Sequence, residues 1–201
     1  MIAVITGDIV NSRSVDPNEW HMPLRNFLSK AITDQTKWEI YRGDSFQIQT
    51  DIASAFELML LIKALIKQVP KLDVRMSLGI GESEYEVEKI TESYGQAYIN
   101  SGEAFEGLKD KTLLLKTPSK DFDEYFNPIL GVVSFIADQW KPETARAFFY
   151  GLYYKSELQK EIAEKMGINS TTLSRALKRA AFDELTSILN LYSNKVKLCF
   201  S

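Results

Sequence analysis

The spacing of apolar side chains changes along the chain, and the change divides it into two parts. Up to about residue 117, segments in which every second residue is apolar alternate with segments in which apolar residues recur every three or four positions, the spacing of a helix. The strand-like runs predict strands at residues 2–9, 38–41, 46–49, 72–80 and 111–116, and the helical spacing predicts helices at residues 18–36, 52–69 and 94–108. After residue 117 every segment has helical spacing, which predicts an all-helical C-terminal part.

The order of these elements indicates the fold class. Two strands meet at Gly43 and Asp44, and a two-residue connection with glycine between alternating runs is a strong hairpin signal. The order β-α-ββ-α-β-α-β is typical of an α+β, ferredoxin-like or palm fold, in which an antiparallel sheet carries helices on one face. We expect this unit to span residues 1–118 and an all-α unit to span residues 119–201. The glutamate-rich segment 81–93 is expected to be a solvated loop or a short exposed strand pair.

Composition and charge restrict the functional classes. The 201 residues carry a net charge of −3 with a pI near 5.4, so any nucleic-acid contact needs a local basic patch. The longest apolar region, residues 56–66, is interrupted by Glu57 and Lys63 and is too short to span a membrane. The N-terminal run lacks a basic leader and is expected to be a strand, and the single cysteine fits a cytoplasmic location.

Residues 159–180 carry the most specific motif. Ala163 is small where two helices would cross closely, Gly167 follows four residues later where a turn needs left-handed backbone, and Leu173 follows six residues after that. This spacing matches a DNA-binding helix-turn-helix. Six basic and three acidic residues lie between residues 155 and 180, so a local charge of +3 coincides with the motif.

The second helix of this motif is predicted to present a polar face to DNA. Short hydroxyl side chains can enter a major groove, and an arginine can reach a guanine or a phosphate. The predicted DNA-binding residues are Asn169, Ser170, Thr171, Thr172, Ser174, Arg175 and Lys178. The modest charge predicts weak DNA binding by a single copy, so useful affinity needs a homodimer or a partner, and we expect a homodimer. A trihelical unit used only for packing or dimer contact is the alternative.

Two aspartates are candidate metal ligands. Asp8 ends the first predicted strand and Asp44 lies at the hairpin tip, and in a palm sheet the first strand lies beside that hairpin. Two carboxylates together with substrate phosphates commonly hold Mg²⁺ or Mn²⁺, so we expect a metal site at this pair. Main-chain N–H groups after Asp8 can wrap a phosphate, and the candidate nucleotide-binding residues there are Ile9, Asn11, Ser12 and Arg13. A turn role for Asp44 and a capping role for Asp8 are the alternatives.

Four sequence blocks resemble those of the class III nucleotidyl cyclases, in the same order. They are GDIVNSR at residues 7–13, YRGDSF at 41–46, RMSLGIGE at 75–82 and YGQAYINSGEAFEGL at 94–108. The whole chain, with a helix-turn-helix after such a domain, resembles the bacterial SatD family. The resemblance implies a metal pair at Asp8 and Asp44 and a nucleotide-binding role for Asn100. Ala104 stands where the cyclases carry an arginine, which removes a cation expected to offset developing phosphate charge.

Taken together, these features predict a DNA-binding, transcription-regulatory protein whose palm unit senses a nucleotide or mediates dimerisation. A metal-dependent nucleotidyl cyclase or transferase is the first alternative. A structural adaptor with vestigial sites is the second. No residue is assigned a catalytic role.

Overall fold

The computed structural model describes residues 1–84 and 89–200, so part of the predicted loop 81–93 lies outside the described residues. Five strands form one sheet. They are β1 (Ile2–Val10), β2 (Trp38–Tyr41), β3 (Ser45–Thr50), β4 (Asp73–Gly81) and β5 (Leu113–Lys116). Their order across the sheet is β2-β3-β1-β4-β5.

The sheet is mixed, whereas the sequence predicts an antiparallel one. β1 is antiparallel to both β3 and β4, and β2 is antiparallel to β3, but β5 is parallel to β4. The cause is the connection between β4 and β5, which contains a helix and therefore returns the chain to the end at which β4 began.

Eight α-helices surround this sheet. They are α1 (His21–Ala31), α2 (Ala55–Ile66), α3 (Gln96–Glu106), α4 (Lys120–Asp138), α5 (Pro142–Tyr153), α6 (Gln159–Met166), α7 (Ser170–Arg179) and α8 (Phe182–Phe200). α1 is shorter than its predicted range 18–36, because Asp16 and Asp34 each hold a separate single-turn segment on either side of it. In the part of the chain that the structure describes, no helix is long and apolar enough to cross a membrane.

Helices cover both faces of the sheet, in contrast to the one-sided arrangement that the sequence predicts. Ile5 and Leu78 belong to the large core that includes α1 and α2, whereas Val4 belongs to a smaller cluster with Ala97 of α3. α3 lies very close to β4, because a Cβ built on Gly79 would be only 2.2 Å from the main-chain oxygen of Ala97. A glycine at this position therefore allows the helix to sit directly on the strand.

One hydrophobic cluster extends across the predicted boundary at residue 118. One buried cluster contains side chains from the sheet, from α1 and α2, and from α4, α5 and α8. Tyr192 of α8 packs edge to face on Phe56 of α2 and on Phe126 of α4, and its hydroxyl donates a 2.8 Å hydrogen bond to the main-chain oxygen of Ile52. The C-terminal helices thus complete the core that one face of the sheet begins.

Candidate functional site

The loop after β1 and the tip of the β2–β3 hairpin form an open pocket. The chain turns sharply at Asn11, whose φ of 63° is left-handed, and it continues as a single helical turn at Ser12–Ser14. The main-chain N–H of Ile9 donates to the main-chain oxygen of Asp44 at 3.0 Å, and the Ser12 hydroxyl donates to the Asp44 carboxylate at 2.6 Å. The pocket measures about 550 Å³ and is lined by Ile9, Asn11, Ser12, Arg13, Ser14 and Asp44.

Asp8 does not line this pocket, because its carboxylate is held by Arg75 of the neighbouring strand. The register pairs Asp8 with Arg75 across β1 and β4, and the Arg75 guanidinium donates to the two carboxylate oxygens at 3.0 and 2.5 Å. The hydrogen bond to Asp8 raises the pKa of Arg75. The guanidinium also lies over the ring of Phe105, 5.7 Å from the ring centroid. Arg75 is therefore a well-anchored counter-ion for Asp8.

As placed, Asp8 and Asp44 do not fit a divalent cation. A hard cation needs carboxylate oxygens that are free to coordinate it, but both oxygens of Asp8 accept from Arg75 and one oxygen of Asp44 accepts from Ser12. Within residues 1–84 and 89–200, no three side chains of Asp, Glu, His or Cys are grouped so that they could hold a metal ion.

Asn100, the residue that the resemblance assigns to a nucleotide, lies on the buried face of α3. Its side chain is 1% exposed, donates to the main-chain oxygen of Ile80 at 2.7 Å and accepts from Gln96 at 2.9 Å. It is part of a polar contact between α3 and the sheet, to which the Ser77 hydroxyl adds a 2.8 Å hydrogen bond to the main-chain oxygen of Ser101. These bonds satisfy polar groups that are buried away from water, and they place Asn100 outside the open pocket.

α6 and α7 are joined by a short turn at the predicted position. Gly167 has a left-handed φ of 70°, and the main-chain N–H of Ile168 donates to the oxygen of Ala163 at 3.0 Å, which closes the end of α6. Asn169 then caps α7 by accepting from the main-chain N–H of Thr172 at 2.8 Å. The two helices share a small core with α5, whose buried members are Ala147, Ile162, Ala163, Met166, Leu173 and Ala176.

The outer face of α7 is polar and basic. Thr171, Thr172, Ser174, Arg175 and Lys178 are exposed, as are Asn169 and Arg179, while Ser170 is half-buried. Within the described residues, the three basic side chains of α7 make no ion pair with an acidic group. α6 is different, because its side chains Glu161 and Glu164 line an acidic depression with Glu157 and Lys165.

The structure adds three candidate functional residues that the sequence does not predict. Arg75 lies at an outward position of β4, and its alternation with buried Val74 and Met76 is the signal that was available. Arg179 continues the helical spacing of Arg175 along α7. Trp140 has no local signal: its indole N–H donates at 3.3 Å to the main-chain oxygen of Ala180, the residue that ends α7, and only the tertiary structure brings the two together.

The comparisons with known proteins identify the family. The chain is a mixed α+β protein with a five-stranded sheet and a helical C-terminal part, and the sequence profile of the SatD family matches its residues 1–186. The chain therefore belongs to the SatD family. No curated protein and no solved structure matches it.

Proposed function

We propose that the chain is a DNA-binding, transcription-regulatory protein in which α6 and α7 are a helix-turn-helix and α7 is the recognition helix. The observation that carries the proposal is the outer face of α7, where three hydroxyl side chains and three basic side chains are exposed with no acidic partner among the described residues. Side chains of these types contact phosphates and the edges of bases in a major groove. The buried faces of the two helices hold α7 rigidly on α5.

The charge around α7 supports a single direction of approach to DNA. Glu157, Glu161 and Glu164 lie on the α6 side, where Lys165 and Lys160 pair with two of them and no excess of positive charge is left to attract a phosphate backbone. Arg175, Lys178 and Arg179 lie on α7 itself, so the α7 face would meet the groove. Three cations give weak binding at physiological salt, and the proposed active form is therefore a homodimer that contacts two half-sites.

The pocket beside Asp44 is the proposed sensor of this regulator. It combines main-chain N–H groups of a tight turn with Ser12 and Arg13, which are donors suited to a phosphate group, and its volume of about 550 Å³ is in the range of small-molecule sites. Arg75 already neutralises Asp8, so the geometry favours binding of a nucleotide over metal-dependent nucleotidyl transfer.

Two hydrogen bonds and a shared cavity lie between this pocket and α7. The Asn11 amide donates at 3.1 Å to the main-chain oxygen of Lys71, and both residues line a second pocket of about 330 Å³ together with Trp140 and Pro142. Trp140 in turn donates to the oxygen of Ala180 at the end of α7. The proposed coupling is that a ligand which moves the loop at Asn11 also changes the contact between Trp140 and the end of the recognition helix. Allosteric coupling requires such a difference in contacts between the ligand-bound and ligand-free states.

DNA binding is tested by selection and mutation. Selection of the full chain on a random duplex library gives a target sequence, and fluorescence anisotropy then compares Arg175→Ala with Lys30→Ala, which removes one exposed charge from α1 instead. If Arg175 reads a base, its loss weakens binding by about 1–3 kcal/mol, while the control leaves it unchanged. No enriched sequence and no binding at low salt would refute the proposal.

The sensor is tested by thermal unfolding with each common nucleoside triphosphate. A ligand at a hundredfold excess over its Kd stabilises the folded chain by about 2.7 kcal/mol, and Arg13→Ala should reduce that gain while Arg25→Ala should not. If no nucleotide raises Tm, the pocket is not a nucleotide site. The DNA-binding proposal is unaffected by that result, because its measurement contains no nucleotide.

A further inference from the structure

α4 carries a stripe of apolar side chains on its outer face. Tyr125 is 53% exposed, Val132 is 56% exposed and Phe135 is 72% exposed, and Pro128 between them is exposed as well. Their separations of three and four residues place all four on one side of the helix. The opposite side is buried in the main core through Phe122, Phe126 and neighbouring residues. The same helix therefore has an apolar inner face and an apolar outer stripe.

The stripe is symmetric along the helix. Tyr125 and Phe135 are each five residues from Leu130, and Pro128 and Val132 are each two residues from it. If a second α4 packs antiparallel across this centre, Tyr125 meets the partner's Phe135 and Pro128 meets the partner's Val132. A two-fold interface requires such self-complementarity, because the same patch contributes both surfaces.

The centre of the stripe allows two helices to approach closely. Gly131 is next to Leu130, at the edge of the stripe, and a Cβ built on it would have no atom of the chain within 4 Å. The helix surface there is thus open, and the missing side chain leaves room for a second backbone.

The adjacent sheet edge is closed to a second copy. β5 is the edge strand beside α4, and the Asn127 amide of α4 accepts from the N–H of Leu115 at 2.9 Å and donates to its oxygen at 3.0 Å. The N–H of Thr117 is likewise bonded to the Asp123 carboxylate at 2.9 Å. These side chains occupy main-chain groups that an added strand would need, so this side of the molecule offers a helix surface instead.

We propose that the stripe is the homodimer surface of the protein, with a second copy of the chain packed antiparallel on α4. At each end an antiparallel pair brings Asp121 opposite the partner's Gln139, and both side chains are exposed and polar. Tyr125, Val132 and Phe135 together offer apolar area on the order of 350 Å² per copy. Two copies bury roughly twice that, below the 1,200–2,000 Å² of a standard interface, so the dimer should be weak and concentration-dependent.

An antiparallel pair of α4 helices suits the proposed DNA-binding dimer. The biological role of the dimer rests on that proposed function, but the dimer surface does not. Trp140 follows α4 and holds the end of α7. With 1.5 Å of rise per residue, the two Trp140 residues of an antiparallel pair centred on Leu130 lie roughly 30 Å apart along the axis. The pairing therefore keeps the two attachment points of α7 well apart, as contact with two half-sites requires.

Sedimentation of the full chain over a range of concentrations, without DNA, tests the surface. The wild type should show a monomer–dimer equilibrium, and Phe135→Ser should weaken it by roughly tenfold or more. Leu198→Ser is the matched control, because Leu198 is 82% exposed on α8 and is not part of the stripe, and it should dimerise like the wild type. A wild type that stays monomeric, or a Phe135→Ser variant that dimerises normally, would overturn the proposal and assign the stripe to a different occupant.

A cross-link provides a second test that does not weaken the fold. In a Cys199→Ser background, which removes the exposed native thiol, Gly131→Cys places one thiol per copy next to the symmetry centre, and mild oxidation should give a disulfide-linked dimer. Ser29→Cys, on exposed α1, should not. Equal cross-linking of both variants would argue against a specific surface. Neither measurement uses DNA, so loss of the DNA-binding proposal and loss of this one are distinguishable.

Discussion

Arg75 on β4 holds the carboxylate of Asp8 on β1 through two hydrogen bonds, of 3.0 and 2.5 Å. The pair joins two neighbouring strands of the sheet at the end where the hairpin tip also lies. A carboxylate at this position is expected from the sequence to coordinate a cation, and here a guanidinium takes that role. The positive charge beside Asp8 therefore belongs to the Arg75 side chain.

Removing this guanidinium should make Asp8 available to a metal. Arg75→Met keeps an unbranched side chain beside Phe105 but leaves Asp8 without its counter-ion, so titration calorimetry with Mn²⁺ should detect binding in the variant that is weak or absent in the wild type. Adding Asp8→Asn should abolish the gain, and Lys71→Met, which removes an exposed charge elsewhere, should produce none. Tight Mn²⁺ binding by the wild type that disappears in Asp8→Asn would contradict this account.

Replacing glycine by alanine should have opposite effects on stability at two positions, Gly79 and Gly102. A Cβ on Gly79 would meet main-chain atoms of α3 at 2.2 Å, whereas a Cβ on Gly102, on the exposed side of α3, would meet nothing within 4 Å. Gly79→Ala should therefore push α3 off the sheet and cost about 1–3 kcal/mol or more. Gly102→Ala should stabilise the helix by about 0.5–1 kcal/mol. Urea unfolding measures both, and equal effects would mean that α3 does not lie on β4 as described.

Lys63 forms a buried ionic cluster between α2, β4 and α4. Its ammonium group is fully buried and lies 2.6 Å from the carboxylates of both Asp73 and Asp138. Lys63→Met leaves Asp138 without a cation and Asp73 with only Lys67, 3.2 Å away, which should cost about 3–5 kcal/mol in urea unfolding. Lys155→Met breaks the exposed pair with Glu57 and should cost less than about 1 kcal/mol.

The outcome also tests whether the chain has one core. The Lys63 cluster joins parts of the chain on either side of residue 118, so unfolding should remain a single transition in the wild type and in both lysine variants. Two separate transitions, of which only the first responds to Lys63→Met, would show that the C-terminal helices unfold independently of the sheet.

Asp123 should make stability depend on pH. Burial raises the pKa of this carboxyl, against the opposing effect of its hydrogen bonds from Thr117. The folded chain therefore binds this proton more tightly than the unfolded chain, whose carboxyl has its usual pKa near 3.8. As pH falls from neutral towards that value, this group's contribution shifts in favour of the folded state.

Comparison of the wild type with Asp123→Asn isolates this contribution. The amide oxygen can still accept the bonds from Thr117, but it does not titrate. The free energy of unfolding of the wild type, relative to the variant, should rise as the pH is lowered through the range just above 3.8. If the difference between the two proteins falls on acidification, the pKa of Asp123 is lowered in the folded state.

Local chemistry in the sequence determined the secondary structure with few exceptions. The alternation around Gly43 predicted the β2–β3 hairpin, and the spacing around Gly167 predicted two helices joined by a left-handed turn. Both signals depend on residues within one or two turns of each other, so they can be read without knowing the rest of the fold. The exposed side chains of α7 follow from helical spacing for the same reason.

Only the tertiary structure decided which elements meet. The sequence does not show that Asn100 is bonded to Ile80 or that Asp8 is bonded to Arg75, each on another element. The parallel pairing of β5, the placement of α3 on the second face of the sheet and the shared core around Tyr192 are equally long-range. Periodicity shows that a side chain is buried or exposed but not what it faces, because its neighbours come from distant parts of the chain that only the packing of the sheet and helices brings together.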